Sequence, residues 1–375
     1  MDNKAWAQEV AKKIKEKEIE VIKRSVNKVP YIAKNGVFDD LSETRLGWWT
    51  NGFWGGMMWQ LYQATKEPIY KEVAENLEKK MDSVLLDSSV MDHDSGFRWL
   101  PTAVANYRLF GSKESKNRGM LAASNLAGRY NAKGEFIVAW NSRPDHQVDG
   151  WAIIDCMMNI PLLFWASKET NDPRFYHIAK AHADTVLRCF LRPDNTSAHI
   201  VSFDPYNGEK IENLGGQGKD PDSAWSRGQA WAIYGMAVAY RETGKEEYLT
   251  ASKNVAAYFL SHLPEDKVPY WDFRTDEADK WVKDSSAAAC AASGLLELHS
   301  LVKEEAEKQF YLDQALAILK GIYDNYFIAS DDSQAMISCG TVNYAKKKHV
   351  NVPIIYGDYF FTEALLKLKG LTSIF

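Results

Sequence analysis

Cysteine is scarce in this chain of 375 residues, and long apolar runs are missing. There is no CxxC pair and no zinc-like spacing, so the sequence predicts separate reduced thiols rather than a disulfide framework. The N-terminal residues lack the apolar core of a signal peptide, and polar residues and a proline interrupt the longest apolar stretch, residues 151–165. We therefore expect a soluble cytoplasmic protein with no membrane partner. The cysteines are Cys156, Cys189, Cys290 and Cys339.

An excess of one charge is absent too, because the formal net charge is only −5. A chain without a basic excess gives no reason to expect nucleic acid as a partner. The motifs HExxH, GxGxxG and GxSxG and the phosphate-binding loop are all missing. Their absence argues against a zinc hydrolase, a nucleotide-binding enzyme and a serine hydrolase. The sequence predicts no metal site.

Aromatic residues, in contrast, are abundant: the chain has 13 Trp, 18 Tyr and 16 Phe. Many such rings fill a core, but several of the tryptophans lie in segments that resemble loops or helix starts. Aromatic faces are good platforms for the CH-rich faces of sugars, and a pocket lined by them with few polar groups is the usual form of a small-ligand site. The composition therefore favours a carbohydrate ligand.

Helical hairpins recur along the chain. Helices are predicted over residues 3–27 and 51–66, and five short polar turns each join an apolar helix to a more amphipathic one. The first helix and the apolar segment 359–368 make a sixth pair. Six pairs predict an all-α fold, an (α/α)6 barrel formed by residues 1–375 as a single domain. An open solenoid is the alternative, but its terminal repeat should be polar. The five turns lie within residues 62–70, 107–120, 165–176, 240–248 and 299–311.

The connections between the pairs differ from the turns within them. Long, motif-bearing segments follow residues 86, 131, 190, 263 and 326, whereas the hairpin turns are short and charged. In a closed barrel the long connections all lie at one end. We therefore expect the functional site at that end.

One carboxylate, Asp155, lies in the middle of the apolar stretch 149–165, which is predicted to be a single helix capped by Asp149. Burying an unpaired carboxylate is unfavourable, so Asp155 either accepts hydrogen bonds from its neighbours or keeps a proton. In the first case it is a structural residue. In the second it is suited to act as a general acid.

Three other residues are suited to the same chemistry. Asp94 lies in the loop 91–99, for which a solvated acidic turn is the alternative interpretation. His199 lies in a strand-like segment, where a lone histidine is more often structural. Arg227 begins an apolar helix and needs an anionic partner, either an internal aspartate or a substrate carboxylate. Two carboxylates, an arginine, a histidine and many tryptophans are the set expected for acid–base chemistry on a carbohydrate.

Taken together, these segments resemble the unsaturated glucuronyl hydrolases, which are glycoside hydrolases with a six-hairpin α/α barrel. The related unsaturated rhamnogalacturonyl hydrolases share the fold and the acid/base aspartate, but the Cys-Met-Met-Asn run is more similar to the glucuronyl group. The matching motifs span about residues 48 to 365. They are His93-Asp94-x-Gly96-Phe97, Ile154-Asp155-Cys156-Met157-Met158-Asn159, Arg227-Gly228-Gln229-Ala230-Trp231, Trp49-Thr50-Asn51-Gly52-Phe53-Trp54 and Gly357-Asp358-Tyr359-Phe360.

The resemblance implies that Asp155 is the general acid and base, and that Asp94 assists it and binds sugar hydroxyls. The implied substrate is a lyase-generated glycosaminoglycan disaccharide or oligosaccharide whose terminal uronate has a C4=C5 double bond. Asp155 would protonate C4, water would add at C5, and the adduct would release the neighbouring sugar without a metal or organic cofactor. The residues implied to surround the uronate are Trp48, His93, Trp140, His199, Gln217, Arg227 and Trp231.

The resemblance leaves the second sugar open. Glucuronyl hydrolases commonly have a basic residue where this chain has Gly216. Members selective for sulfated sugars have a Ser-x-x-Ser-x-Lys pattern where this chain has Asn343, Lys346 and Lys348. These three residues either bind a sulfate or carboxylate of the second sugar or belong to a solvated basic loop. A sugar epimerase and a non-catalytic carbohydrate-binding barrel are the alternative functions, and the protein is expected to be a monomer or a dimer.

Overall fold

The computed structural model describes residues 3–330 and 332–375. Its helices follow the predicted hairpin pattern, and the predicted helices 3–27 and 51–66 end within two residues of α1 and α2. The α-helices are α1 (Asn3–Ser25), α2 (Asn51–Thr65), α3 (Pro68–Lys80), α4 (Asp82–Leu85), α5 (Ser95–Trp99), α6 (Ala105–Phe110), α7 (Lys113–Gly128), α8 (Pro161–Thr170), α9 (Pro173–Cys189), α10 (Ser226–Thr243), α11 (Glu246–Ser261), α12 (Ser285–Leu301), α13 (Glu305–Tyr326) and α14 (Ile355–Leu368).

The hairpins close into an (α/α)6 barrel, which confirms the predicted fold. An inner ring is formed by α2, the α5–α6 segment, α8, α10, α12 and α14, and contacts between α14 and α2 complete it. Helices α2, α10, α12 and α14 are buried over most of their length, as expected for helices surrounded by others. The outer ring is formed by α1, α3, α7, α9, α11 and α13, which have exposed polar faces.

Four of the five turns within the hairpins are short because the first helix ends in a left-handed residue, whereas α12 ends at Val302 in an extended conformation. Lys66, Gly111, Asn171 and Gly244 all have positive φ. The amide of Gly244, for example, donates to the carbonyl of Tyr240 at 2.7 Å. A left-handed residue ends a helix and reverses the chain within a few residues. The long connections consequently lie together at the other end of the barrel.

Short β-structure in those connections was predicted only for the strand-like segment around His199, which forms the strand Ile200–Phe203. Two two-stranded sheets pair β1 (Ala33–Lys34) with β2 (Val37–Phe38) and β3 (Tyr130–Asn131) with β4 (Phe136–Ile137). A third, antiparallel sheet has the order β5 (Trp151–Ile153), β6 (Ile200–Phe203) and β7 (Lys210–Leu214). This sheet joins two of the long connections and lies beside the inner ring.

The predicted helix over residues 149–165 is wrong in its first half. Residues 151–153 form β5, a 3-10 helix follows over Ile154–Met158, and α8 begins only at Pro161. Proline is tolerated at the first position of a helix but not inside one, because it has no amide hydrogen to donate. Because α8 cannot extend back past Pro161, the residues before it adopt other structures. Residues 151–153 pair with β6, and Asp155 lies in the 3-10 helix that follows them.

None of the helices within residues 3–330 and 332–375 has the length and apolar character needed to cross a membrane. The four cysteines are free thiols, with Cys156 and Cys290 buried and Cys189 and Cys339 half-buried.

Replacing Gly235 with alanine should destabilise the protein. A Cβ at this position of α10 would lie 2.5 Å from Met157 Cβ and 2.9 Å from the Met157 carbonyl carbon, so α10 and the 3-10 helix would have to separate. We expect Gly235→Ala to lower the free energy of unfolding by about 1–3 kcal/mol in urea denaturation. Gly128→Ala is the matched control, because nothing lies within 4 Å of a Cβ there. Equal stability of the two variants would contradict this packing.

Candidate active site

Asp155 and His199 are brought together by the three-stranded sheet. Ile153 pairs with Ile200, and one residue further along, the amide of Ile154 donates to the carbonyl of His199 at 3.0 Å. Asp155 Oδ1 then lies 3.5 Å from His199 Nε2. Both side chains are buried, yet neither of these atoms has a hydrogen-bond partner within the described residues. Because such atoms are rare in protein interiors, this pair is a candidate for binding a ligand.

The other ring nitrogen of His199 is held by the segment 215–217. The amide of Gln217 donates to His199 Nδ1 at 2.9 Å, so the proton of the neutral ring lies on Nε2, facing Asp155. The carbonyl of Gly215 is farther from Nδ1, at 3.3 Å. Gly216 permits this approach: its φ is +61°, and a Cβ there would lie 2.2 Å from Nδ1. The basic side chain that the resemblance leads us to expect at this position would therefore displace the histidine ring.

Asn159 connects the segments of the two candidate carboxylates. Its amide nitrogen donates to Asp94 Oδ1 at 3.4 Å and to the carbonyl of Asp155 at 3.2 Å. Its amide oxygen accepts a hydrogen bond of 2.7 Å from the backbone amide of Phe97. These contacts fix the orientation of the Asn159 side chain and hold the start of α5 against the 3-10 helix.

Asp94 lies directly before α5 and is buried beside His93, whose Nε2 is 3.5 Å from Asp94 Oδ2. Burial raises the pKa of Asp94 well above its usual value, and the negative charges of Asp92 and Asp155 act in the same direction. Burial lowers the pKa of His93 to about 4, so its ring is neutral at neutral pH. The surroundings of Asp94 therefore favour its protonated form, which can donate a hydrogen bond.

The anionic partner of Arg227 is internal. The guanidinium group contacts the Asp284 carboxylate and donates to the carbonyls of Thr341 and Val342 at 2.6 and 2.8 Å. Arg227 and Asp284 are both fully buried. The expected place of Arg227 in the wall of a uronate pocket is therefore not seen. Its guanidinium lies in the barrel interior and fixes the backbone of residues 341–342 through these hydrogen bonds.

Trp231 is also enclosed. Its ring has no exposed surface and packs against Phe97 and Phe360, with centroid distances of 5.1 and 5.5 Å. The resemblance implied that Trp231 lines the pocket, but in this structure the ring lies in the barrel interior. It could touch a sugar only if its neighbours moved.

Trp140 and Trp48 are half-buried and lie in two separate long connections. The ring of Trp140 meets His93 edge-on at 5.8 Å. The guanidinium of Arg45 lies 3.6 Å over the ring of Trp48, and Tyr31 contacts that ring from the side at 5.9 Å. Trp140 is thus adjacent to the residues around Asp94.

The three residues expected near the second sugar lie on one antiparallel turn, residues 342–349, which we call the basic hairpin. The amide of Asn343 donates to the carbonyl of Lys348 at 3.1 Å. The side chains of Lys346 and Lys348 are exposed. The carbonyl of Val342 accepts a hydrogen bond of 2.6 Å from Gln217 Nε2. Gln217 therefore connects the basic hairpin to the histidine beside Asp155.

Three contributors to the site were missed from the sequence. Asn159 lies in the same motif as Asp155, but nothing in the motif indicates that it reaches Asp94. Trp225 packs 4.3 Å from His199 and 4.6 Å from the guanidinium carbon of Arg227. Asp284 caps α12, a role that its position before a run of small helix-forming residues could have indicated.

Within the described residues, no group of three or more His, Cys, Asp or Glu side chains is arranged to hold a metal ion. The histidines beside Asp94 and Asp155 each face a single carboxylate.

Replacing Asp94 with asparagine should stabilise the fold near neutral pH. Its pKa is raised in the folded state, so between the unfolded value, about 4, and the folded value the native state holds more protons than the unfolded state. Stability therefore falls as pH rises through that window. We expect Asp94→Asn to remove this loss and to raise the free energy of unfolding at pH 7 by at least about 1 kcal/mol.

Urea denaturation from acid to neutral pH measures this effect, and the gain should vanish at the acid end. Asp145→Asn is the control, because that side chain is 83% exposed. A gain that did not depend on pH, or an equal gain in the control, would contradict the burial argument.

Comparisons with known proteins identify the family of this chain. Residues 11–366 match glycosyl hydrolase family 88. The chain is 36% identical over 329 residues to the unsaturated glucuronyl hydrolase of Bacillus sp. strain GL1, with 87% of each chain covered. It is 35% identical over 326 residues to the unsaturated chondroitin disaccharide hydrolase of Streptococcus pneumoniae, covering 85% of this chain and 81% of the relative.

Among solved structures, that of an unsaturated glucuronyl hydrolase from Streptococcus agalactiae superimposes with a TM-score of 0.92 at 29% identity. The match covers 99% of this chain and 94% of the other. With the barrel and the buried carboxylates already in place, these matches show that the chain belongs to glycosyl hydrolase family 88 and is a glycoside hydrolase.

Proposed function

We propose that this protein removes a 4,5-unsaturated glucuronate from the end of lyase-generated glycosaminoglycan disaccharides and oligosaccharides. The observation that carries the proposal is the pair Asp155 and His199, two buried groups that face each other without a close hydrogen bond. Both the chondroitin disaccharide hydrolase and the glucuronyl hydrolases to which the chain is similar are named for such substrates.

In the proposed reaction Asp155 transfers its proton to C4 of the sugar. The C4=C5 double bond is a vinyl ether, so protonation at C4 leaves a cation at C5 that the ring oxygen stabilises. Water then adds at C5 and gives up a proton to the Asp155 carboxylate. The resulting adduct opens at the ring oxygen and releases the neighbouring sugar as an alcohol. This route needs one acid–base group at C4 and C5 rather than two carboxylates at C1.

Asp94 and His199 assist in different ways. Because the charge of Asp155 is among the causes that raise the pKa of Asp94, ionising both carboxyl groups at once is unfavourable. A protonated Asp94 can donate to a sugar hydroxyl. His199, with its proton on Nε2, can stabilise the Asp155 carboxylate that forms when the proton leaves.

The remaining residues of the proposal differ in how far they can reach a substrate. His93, Trp140 and Gln217 are adjacent to these groups and are proposed to contact the uronate directly, and Trp48 is proposed to extend the pocket wall. Arg227 and Trp231 are proposed to support the wall of the pocket from the barrel interior, since neither side chain is exposed. Asn343, Lys346 and Lys348 are proposed to face the second sugar.

Asp155→Asn should lose at least about 10²–10⁴-fold in kcat, because the amide can neither donate nor recover the proton. The assay follows the ultraviolet absorbance of the conjugated double bond with unsaturated disaccharides that differ only in sulfate position, and with a rhamnogalacturonan product as comparison. Asp149→Asn, an exposed residue of the preceding loop, should retain activity.

The same assay tests the reaction type. Absorbance should disappear at the same rate as the second sugar is released, because hydration of the double bond precedes release. Release that precedes the absorbance loss would indicate ordinary hydrolysis at C1. A wild-type protein that left every disaccharide intact would refute the proposal.

Asn159→Asp should impair the reaction and shift its pH dependence. The variant loses the amide hydrogen bonds to Asp94 and to the Asp155 carbonyl and adds a negative charge beside both carboxyl groups. We expect kcat/KM to fall about tenfold and both limbs of its pH profile to move to higher pH. Asn325→Asp, at the end of the outer helix α13, serves as control. An unshifted profile would show that Asn159 has only a structural role.

A further inference from the structure

An exposed tryptophan, Trp281, lies beside the basic hairpin. Its side chain is 61% exposed, and it is the only one of the 13 tryptophans, all within the described residues, among the exposed large apolar side chains. An isolated exposed apolar side chain is ordinary on a protein surface. Trp281 differs from that case because its backbone and its ring both have fixed contacts, one of them with Tyr344 of the basic hairpin.

The backbone and ring of Trp281 are both held in place. Its carbonyl accepts a hydrogen bond of 3.1 Å from Asn351 Nδ2. Its ring meets the ring of Tyr344, a residue of the basic hairpin, edge-on at 6.1 Å. Tyr344 is itself fixed, since its hydroxyl donates to Asp279 at 2.6 Å and its ring packs 4.9 Å from Trp271. The exposed ring is therefore a rigid surface and loses little entropy when it binds a ligand.

The segment around the basic hairpin has a strained backbone. Four residues that are not glycine have positive φ within thirteen positions: Cys339 at 61°, Lys347 at 51°, His349 at 48° and Asn351 at 51°. Such conformations persist only where the surroundings enforce them, and they cluster at ligand sites. Here they present three consecutive lysines, residues 346–348, to solvent.

These lysines are available to an anion. Within the described residues, none of the three forms an ion pair with a carboxylate, and the ammonium of Lys347 lies 3.2 Å from the centroid of the Tyr344 ring. The nearby acidic side chains have other partners: Glu277 pairs with Lys280, and Asp279 accepts from Tyr344. Lys347 and Trp281 thus contact the same tyrosine and together offer a cation beside an open aromatic face.

The basic hairpin also links this surface to the site. Its first residue, Val342, contacts Gln217, and its last, His349, packs 5.7 Å from Tyr31, which adjoins Trp48. Tyr344 is two residues from Val342, a span of at most about 7 Å. Trp281 contacts Tyr344, so a chain that left the pocket along the hairpin would reach Trp281 after its second sugar.

We propose that Trp281 and Lys347 form an outer sugar subsite for the third sugar of an unsaturated oligosaccharide. Trp281 packs under the CH face of that sugar, and Lys347 binds its carboxylate. In glycosaminoglycans uronates alternate with amino sugars, so the third sugar of an unsaturated tetrasaccharide carries a carboxylate, which complements the lysine. This subsite rests on the proposed function, because it serves the same substrate.

The test compares kcat/KM for the unsaturated tetrasaccharide and disaccharide of hyaluronan in the full-length protein. Trp281→Ala should lower the tetrasaccharide-to-disaccharide ratio about tenfold while leaving the disaccharide unchanged. Trp281→Phe should retain most of the ratio, since it keeps an aromatic face. Lys347→Gln should lower the ratio and remove the part of it that is sensitive to salt.

Phe310→Ala, an exposed aromatic residue of α13, is the matched control and should change neither value. A ratio that is unchanged in Trp281→Ala, or an equal loss on both substrates, overturns the subsite while the proposed function stands. A change in molecular mass by light scattering without a change in the ratio would mean that Trp281 belongs to an interface between two copies, which also overturns it. If the wild-type protein cleaves neither the tetrasaccharide nor the disaccharide, the proposed function itself has failed.

Discussion

The antiparallel pairing of β5 with β6 is the contact on which the rest of the site depends. Its register places Ile153 opposite Ile200, and so brings the side chains of Asp155 and His199 within 3.5 Å of each other just beyond the paired strands. In a strand successive side chains alternate between faces, so a slip of one residue would separate these two groups. The barrel supports this register from below, because Gly235 lets α10 approach the 3-10 helix that carries Asp155. The group proposed for proton transfer is thus positioned by backbone hydrogen bonds rather than by a flexible loop.

Around that pair, two residues with amide side chains each connect two parts of the site. Asn159 serves both carboxylate segments, and Gln217 serves both His199 and Val342. Sharing reduces the number of polar groups that must be buried, which is costly where they are not all paired. It also couples the parts of the site, because a substitution of Asn159 or of Gln217 removes contacts to two segments at once.

The barrel could be predicted from the sequence because its signals are local. Apolar periodicity and short turns ending at Gly111 or Gly244 determine where helices begin and end. The helix expected over residues 149–165 failed for a non-local reason: its first residues pair with a strand almost fifty positions later. The burial of Arg227 could not be predicted either, since its partner Asp284 is 57 residues away in the chain. Motifs indicated Asp94 and Asp155 as candidates, but the arrangement of these two residues depends on contacts that no motif specifies.

The barrel separates two tasks between different stretches of chain. The sheet and the 3-10 helix hold the groups proposed for proton transfer, whereas the basic hairpin belongs to another connection and meets them through the side chain of Gln217 and through Arg227. Exchange of residues 342–349 between related barrels would therefore change the surface proposed to face the second sugar and leave the groups proposed for proton transfer in place. Under the proposed function, the substrate preference of such a barrel could change through substitution of these eight residues alone.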